Sequence, residues 1–306
     1  MKRQHWGFWR RSPNRHAKPA RLILYAGSQG WKNPEYIELL KSAREFLGDG
    51  SVLAVTAPRH FRLIDCVYTV LKHRPTHLFY DPRWGAQTRL QGAFEALAIS
   101  AALRAVGCVA ICLLNDLPEV VWRKKISMVS GQRGICLMLV SPEIGRVYAP
   151  EIQNQVGPMP MPLSQETFAE LRKKWLPSQS IDAASDPTIS FVGSLYEPRT
   201  SMLAVAEREL ALKGVKLQIF GRKLDEPKIR PEEYFRLLAQ SATVFTTADQ
   251  AYTADQTEYP IHLVYRYIEV LATGALLIAP AVSGAERYFS PGMHFLECPS
   301  IDVLIQ

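Results

Sequence analysis

No run of about 18 uninterrupted apolar residues occurs in this sequence, so no transmembrane helix is expected. The longest candidate is broken by Arg104, Gly107, Asn115 and Asp116. Cysteine is scarce. The five present, Cys66, Cys108, Cys112, Cys136 and Cys298, form no CxxC pair and sit in apolar stretches. That excludes a disulfide scaffold, argues against structural zinc, and fits buried free thiols in a reducing cytosol. Acidic residues are missing from the first 21 positions, where Lys2, Arg3, Arg10, Arg11, Arg15, Lys18 and Arg21 supply seven positive charges. The whole chain has a formal charge of +7, so the remainder is balanced and the pI of 9.1 belongs to the leader. A nucleic-acid groove in the folded part, which needs Lys and Arg clustered on one domain face, is not expected. The leader also lacks the apolar core of a secretory signal. Residues 1–20 are expected to be a basic, disordered leader. Its Trp6, Phe8 and Trp9, set among basic residues, allow at most weak contact with an anionic membrane surface. The expected location is the cytoplasm, with that peripheral contact as the variant.

What is present is the composition of a soluble globular protein: 47% hydrophobic and 21% charged, with a mean hydropathy of −0.06. A length of 306 residues predicts two domains, each with its own core. Short apolar runs alternate with helical periodicities from Leu22 to Val140, a pattern that makes a parallel sheet with crossover helices. Such sheets bind ligands beyond the carboxyl ends of their strands. The strand Leu22–Ala26 is expected to end in Gly27-Ser28-Gln29-Gly30, which is too short for a G-x-G-x-x-G dinucleotide fingerprint and suits the acceptor side instead. The proline-rich stretch Gly157–Pro162 cannot be helical. It opens a linker over 156–187, with a short helix from Gln165 to Trp175. The alternation then restarts, with a strand ending at Gly193, another ending at Gly221 and a helix over Ile261–Thr273. The expected organisation is therefore a leader (1–20), an N-terminal Rossmann-like domain (21–155), the linker (156–187) and a C-terminal domain (188–306). The chain stops after Ile301-Asp302-Val303-Leu304-Ile305-Gln306, where a further helix should begin, so a truncated C-terminal domain is one expectation.

Five pieces arrive in order: ISFVGSLYEPR (189–199), LQIFGR (217–222), EEYFRLLAQSATVF (232–245), YRYIEVLATGALLIAP (265–280) and FSPGMHFLECPSIDVL (289–304). Together they resemble the C-terminal domain of group-1 glycosyltransferases, notably the spore-coat-maturation-type subgroup and the family-4-like C-terminal domains. The resemblance implies the GT-B arrangement: two α/β, Rossmann-like domains with parallel sheets and a cleft between them. It implies an enzyme, a hexosyltransferase-like and metal-independent one, that moves a sugar from a nucleotide-diphosphate donor to an acceptor. That acceptor is a glycan, lipid or protein that the sequence does not identify. No D-x-D triplet of the metal-dependent sugar transferases is present. Neither a metal nor a cofactor is expected; the donor is a substrate.

The residues themselves support several roles. Gly193 after a strand lets the backbone approach a pyrophosphate, and the helix starting near Arg199 offers free amides and a positive dipole end. Arg199 can pair with phosphate in bidentate fashion, or it is a solvated helix start. Gly221 with Arg222 and Lys223 repeats the arrangement, either as a donor contact or as a plain basic loop. On one helix, His262, Arg266 and Glu269 would fall on one face. The resemblance makes Glu269 the acceptor for the donor's ribose hydroxyls; an Arg266–Glu269 surface pair is the bland alternative. The family's earlier glutamate, eight positions upstream, is Ile261 here, so the pair is incomplete and Tyr259 or His262 stands nearest to replace it. Asp116 and Asp81, at the ends of predicted strands, are the candidates for handling the acceptor proton, although aspartate there is also a common helix cap. Two other readings remain: a catalytically silent GT-B protein serving in binding or assembly, and a GT-B-fold epimerase.

Overall fold

The structure is a computed structural model. It describes residues 21–27, 34–57, 63–80, 89–114, 132, 134–139, 155–156, 160–174, 188–197, 199–223, 226, 229–247, 263–282, 285–299 and 301–306. The expected leader, the loop 28–30, Asp81, Asp116, Tyr259, Ile261 and His262 lie outside these residues.

Two fully parallel sheets form the frame. The first contains β1 (Leu22–Gly27), β2 (Val52–Ala57), β3 (His77–Tyr80), β4 (Val109–Leu114), β5 (Ile135–Leu139) and β6 (Gln155–Val156), in the order β2-β1-β3-β4-β5-β6. The helices α1 (Pro34–Leu47), α2 (Leu63–His73) and α3 (Arg89–Val106) run between its strands. In β1 every residue from Leu22 to Ala26 is buried, the mark of a strand covered on both faces. Ile23 and Tyr25 join Cys66, Val70, Ile99 and Leu103 of α2 and α3, while Leu22, Leu24 and Ala26 join Tyr36 and Leu39 of α1. The cysteines Cys66 and Cys108 sit in that first core, and burial pushes both thiols up to about 12, so they are held as inert thiols.

The second sheet holds β7 (Thr188–Leu195), β8 (Lys216–Lys223), β9 (Thr243–Phe245), β10 (Leu276–Ala279) and β11 (Phe295–Glu297), in the order β11-β10-β9-β7-β8. Its helices are α5 (Arg199–Leu212), α6 (Pro231–Gln240), α7 (Arg266–Thr273) and α8 (Ile301–Ile305). Phe191, Leu217 and Phe245 face α5, whereas Val192, Val244 and Leu277 face α6 and α7. The order reverses between β7 and β9, because the chain leaves β7 toward β8 on one side and later returns to β9 on the other. At such a switch point the crossover connections diverge and leave a crevice beyond the strand ends.

Three expectations change. Gly193 is not past its strand: β7 runs on to Leu195, and Gly193 pairs level with Gly221 inside β8. A Cβ at Gly221 would collide with the Leu195 side chain, so glycine there answers to strand packing. Of the helix expected over 261–273, α7 covers Arg266–Thr273, with Tyr265 as its N-cap residue; Leu263 is buried among the core residues of α6 and α7, and Tyr265 donates its hydroxyl to Pro162 O at 2.9 Å. Gly274 closes α7 at φ 79°, a left-handed conformation that glycine adopts without a steric penalty.

Between the sheets, α4 (Gln165–Lys174) binds the two halves together. Its first amides have no partner within the helix, and α1 supplies them. Glu38 Oε2 accepts from Ser164 N at 2.9 Å and Ser164 Oγ at 2.7 Å, and Glu38 Oε1 accepts from Thr167 Oγ1 at 2.8 Å. Glu45 takes the amides of Gln165 at 3.0 Å and Glu166 at 2.9 Å. Leu171 of α4 then enters the core beneath α7. Glu38 is buried, so Glu38→Ala strands two hydroxyls and an amide. Stability is expected to fall by about 2–4 kcal/mol in a urea titration. A loss below about 1 kcal/mol would show that α4 is held by its apolar face alone.

Candidate functional site

The site is assembled on α7, at the carboxyl end of β7. Arg266 is the first residue of α7, and Glu269 lies one turn later, which makes their side chains neighbours. Arg266 Nε lies 3.8 Å from Glu269 Oε2, with the two side chains only 17% and 6% exposed. The bland alternative of a solvated surface pair is therefore excluded. The same Oε2 accepts the Tyr234 hydroxyl at 2.5 Å, and the Arg266 guanidinium lies 4.7 Å from the centre of the Tyr234 ring. Tyr234 comes from α6 and is thus both a hydrogen-bond donor to the carboxylate and a stacking surface for the cation.

Nε is engaged with Glu269, so the two Nη groups project away from it. Arg266 Nη2 lies 3.7 Å from where a Cβ would stand on Gly193, and Arg266 Nη1 is buried with no hydrogen-bond partner. A mostly buried guanidinium that is ion-paired with a carboxylate and has an unsatisfied Nη1 has a donor to spare for an anion. Burial raises the Glu269 pKa; the Arg266 charge and the Tyr234 hydrogen bond oppose that rise, and Glu38 of α1 adds to it. Burial likewise raises Tyr234, so its proton stays on the hydroxyl that Glu269 accepts.

The remaining candidates divide. Arg199 opens α5, but its Nη1 donates to Ser194 O at 3.1 Å and its guanidinium lies 4.2 Å from the Tyr196 ring centre. It also stands 5.7 Å from the Phe191 ring centre, and that ring reaches within 3.3 Å of the Gly193 Cβ position. Arg199 therefore flanks the Arg266 cluster across Phe191. Arg222 donates to Lys223 O and Glu226 O, both at 3.0 Å, and Glu226 caps Lys223 N at 2.8 Å, so this basic loop is folded upon itself. Tyr234 was not singled out by the sequence. It sits in an amphipathic helix where a tyrosine reads as core, and only the packing of α6 against α7 gives it a carboxylate. Among the described residues no group of three or more His, Cys, Asp or Glu could hold a metal ion, and no helix is long and apolar enough to cross a membrane.

Residues 199–306 match the family model described as glycosyl transferase-like. The C-terminal unit is thus similar to that family over these residues. The match takes in Arg266, Glu269 and Tyr234, and it begins too late to include Gly193. The whole chain also resembles solved structures. Anabaena HepE in complex with UDP-glucose is 11% identical with a TM-score of 0.51, over 93% of this chain and 88% of that one. An alpha-glucosyltransferase in complex with UDP-glucose and DNA is 9% identical with a TM-score of 0.54, over 85% and 80%. AviGT4, a glycosyltransferase involved in avilamycin A biosynthesis, is 12% identical with a TM-score of 0.52, over 87% and 81%. At such identities these establish the fold: two Rossmann-like domains in the GT-B arrangement. No curated protein matches the chain.

The buried carboxylate gives the C-terminal unit a pH signature. Its pKa is raised above the ordinary 4.5, so the folded state holds the proton more tightly than the unfolded chain does. The associated stability is fully present below the ordinary carboxylate pKa and is lost as pH rises through the folded value. Glu269→Gln removes this dependence. The melting temperature of Glu269→Gln relative to the parent should therefore climb from pH 4 toward neutrality; a constant difference across that range refutes the shift.

Proposed function

We propose that the protein transfers a sugar from a nucleotide-diphosphate donor to an acceptor, with the donor's diphosphate seated at the carboxyl end of the second sheet. The observation that carries this is the Arg266 guanidinium: mostly buried, held beside Glu269 and the Tyr234 ring, with Nη1 lacking a hydrogen-bond partner and Nη2 next to Gly193. Two of the structural neighbours are complexes with UDP-glucose, which makes UDP-sugars the first donors to test. Breaking the glycosyl–phosphate bond leaves the electron pair and negative charge on the departing nucleoside diphosphate. A fixed guanidinium and the amide end of α5 are suited to stabilise that charge as it develops. This arrangement does the work that a divalent cation does in metal-dependent transferases, and the transferred group is then a hexose.

Glu269 has one oxygen committed to Tyr234 and Arg266, which leaves Oε1 for a ribose hydroxyl. In this reading it both orients the arginine and marks the nucleoside. Handling of the acceptor proton falls to Asp116 or Asp81, and the cytoplasm is the compartment that supplies nucleotide sugars. The competing reading is a donor-binding protein without turnover, favoured by Ile261 in place of the earlier glutamate.

Calorimetry and donor-hydrolysis assays with UDP-, GDP- and dTDP-sugars separate the two. Binding with hydrolysis supports the transferase, binding alone supports the silent protein, and no binding at millimolar donor rejects both. Arg266→Lys keeps the charge but loses the fork and should weaken nucleoside diphosphate binding by about tenfold or more. Unchanged affinity in that variant would remove Arg266 from the donor site.

A further inference from the structure

A second buried polar atom lacks a hydrogen-bond partner at the same end of the sheet: Thr247 Oγ1. Thr247 follows β9, whose ladder with β10 is extended by Thr246 N donating to Ile278 O at 2.9 Å. Ser190 pairs level with Val244, so continuing that parallel register by three residues sets Thr247 level with Gly193 on the neighbouring strand. The faces agree as well. Val192 and Val244 share the side toward α6 and α7, while Phe191 and Phe245 share the side toward α5. Alternation then places Thr247 on the α5 side, where the Cβ position of Gly193 meets the Phe191 ring.

β7 and β9 are the strands that flank the switch point. Two buried groups without a partner, Arg266 Nη1 and the Thr247 hydroxyl, thus stand at the carboxyl ends of the strands that border this switch point. A buried donor without an acceptor is costly to a folded protein, and such groups are rare unless something fills the position. The guanidinium only donates, so the missing partner is an acceptor, and an anion best satisfies both groups together.

We infer that Thr247 is a phosphoryl-binding residue, its hydroxyl and Arg266 Nη1 jointly holding a phosphoryl group of the ligand across the β7–β9 switch point. The inference deepens the donor-site reading and rests on it for the nucleoside, but not for the anion. Gly193 completes the subsite by leaving open the space that a side chain would fill next to Arg266 Nη2.

The test uses the full chain and calorimetry with inorganic pyrophosphate, UDP, UDP-glucose and uridine. Thr247→Val removes the hydroxyl at nearly constant shape, Thr247→Ala removes it should the valine disturb the strand end, and Thr247→Ser retains it. Melting temperatures report on folding. The expected result is a loss of about tenfold or more in pyrophosphate and UDP affinity for the variants without the hydroxyl, and recovery to within about threefold in Thr247→Ser. Pyrophosphate affinity that is unchanged in a folded hydroxyl-free variant overturns the inference, as does a parent protein that binds no pyrophosphate. Weakened UDP-glucose binding with pyrophosphate and UDP unaffected also overturns it, by assigning Thr247 to the sugar. If pyrophosphate binds through Thr247 while no nucleoside diphosphate binds, the subsite stands and the donor reading fails.

Discussion

The second domain is organised around a buried charge pair, Arg266 with Glu269, roofed by Tyr234. Placing two ions under protein is unfavourable unless each finds compensating contacts. Glu269 finds them, with a guanidinium and a phenol on one oxygen. Arg266 finds less than it needs, because its Nη1 is buried without a hydrogen-bond partner. The domain accepts that deficit at the carboxyl end of its sheet, where a ligand can remove it. Much of the surrounding architecture serves to hold the pair in place: α6 brings Tyr234, the left-handed Gly274 ends α7 in time for β10, and Tyr267 anchors the helix by donating its hydroxyl to Pro280 O.

The pair is also tied to the other half of the molecule. Tyr265, immediately before Arg266, donates to Pro162 O, and its side chain joins the cluster of Leu22, Leu24 and Tyr36 on the first sheet. Glu38 of α1 holds the start of α4, whose Leu171 lies in the core under α7, and Glu38 also bears electrostatically on Glu269. A displacement of α1 is therefore transmitted to α7 through packed and hydrogen-bonded groups.

Much of the fold was legible because parallel sheets covered on both faces demand unbroken apolar strands and amphipathic crossovers. Leu22–Ala26, Val52–Thr56 and Ile189–Val192 announce themselves that way, and the structure adds residues only at the strand ends. Proline and glycine marked α6, α7 and the non-helical stretch before α4 by simple backbone rules. The misjudged points share one cause. Gly193 and Gly221 were taken as strand ends because glycine punctuates chains, yet pairing with a neighbour carries both strands past them. Within the helix expected over 261–273, α7 starts at Arg266, and the two residues Leu263 and Tyr265 before it are buried in two different cores.

The site shows the same division. Sequence by itself determined the nature of the charges, an arginine and a glutamate three residues apart before a glycine-capped helix end, and that spacing makes them neighbours on any α-helix. It also determined the Rossmann-like alternation, because residue periodicity is a local property. Only the tertiary structure decided that the pair is buried rather than solvated, that Tyr234 from a separate helix donates to Glu269 Oε2, and that Arg222 turns to its own loop while Arg199 flanks the cluster. It alone set β7 beside β9, with Ser190 level with Val244, through a strand order that reverses between them. These facts depend on contacts between residues tens of positions apart in the chain. Local pattern carries no information about them, because desolvation and partner choice are fixed only when the helices and strands come together.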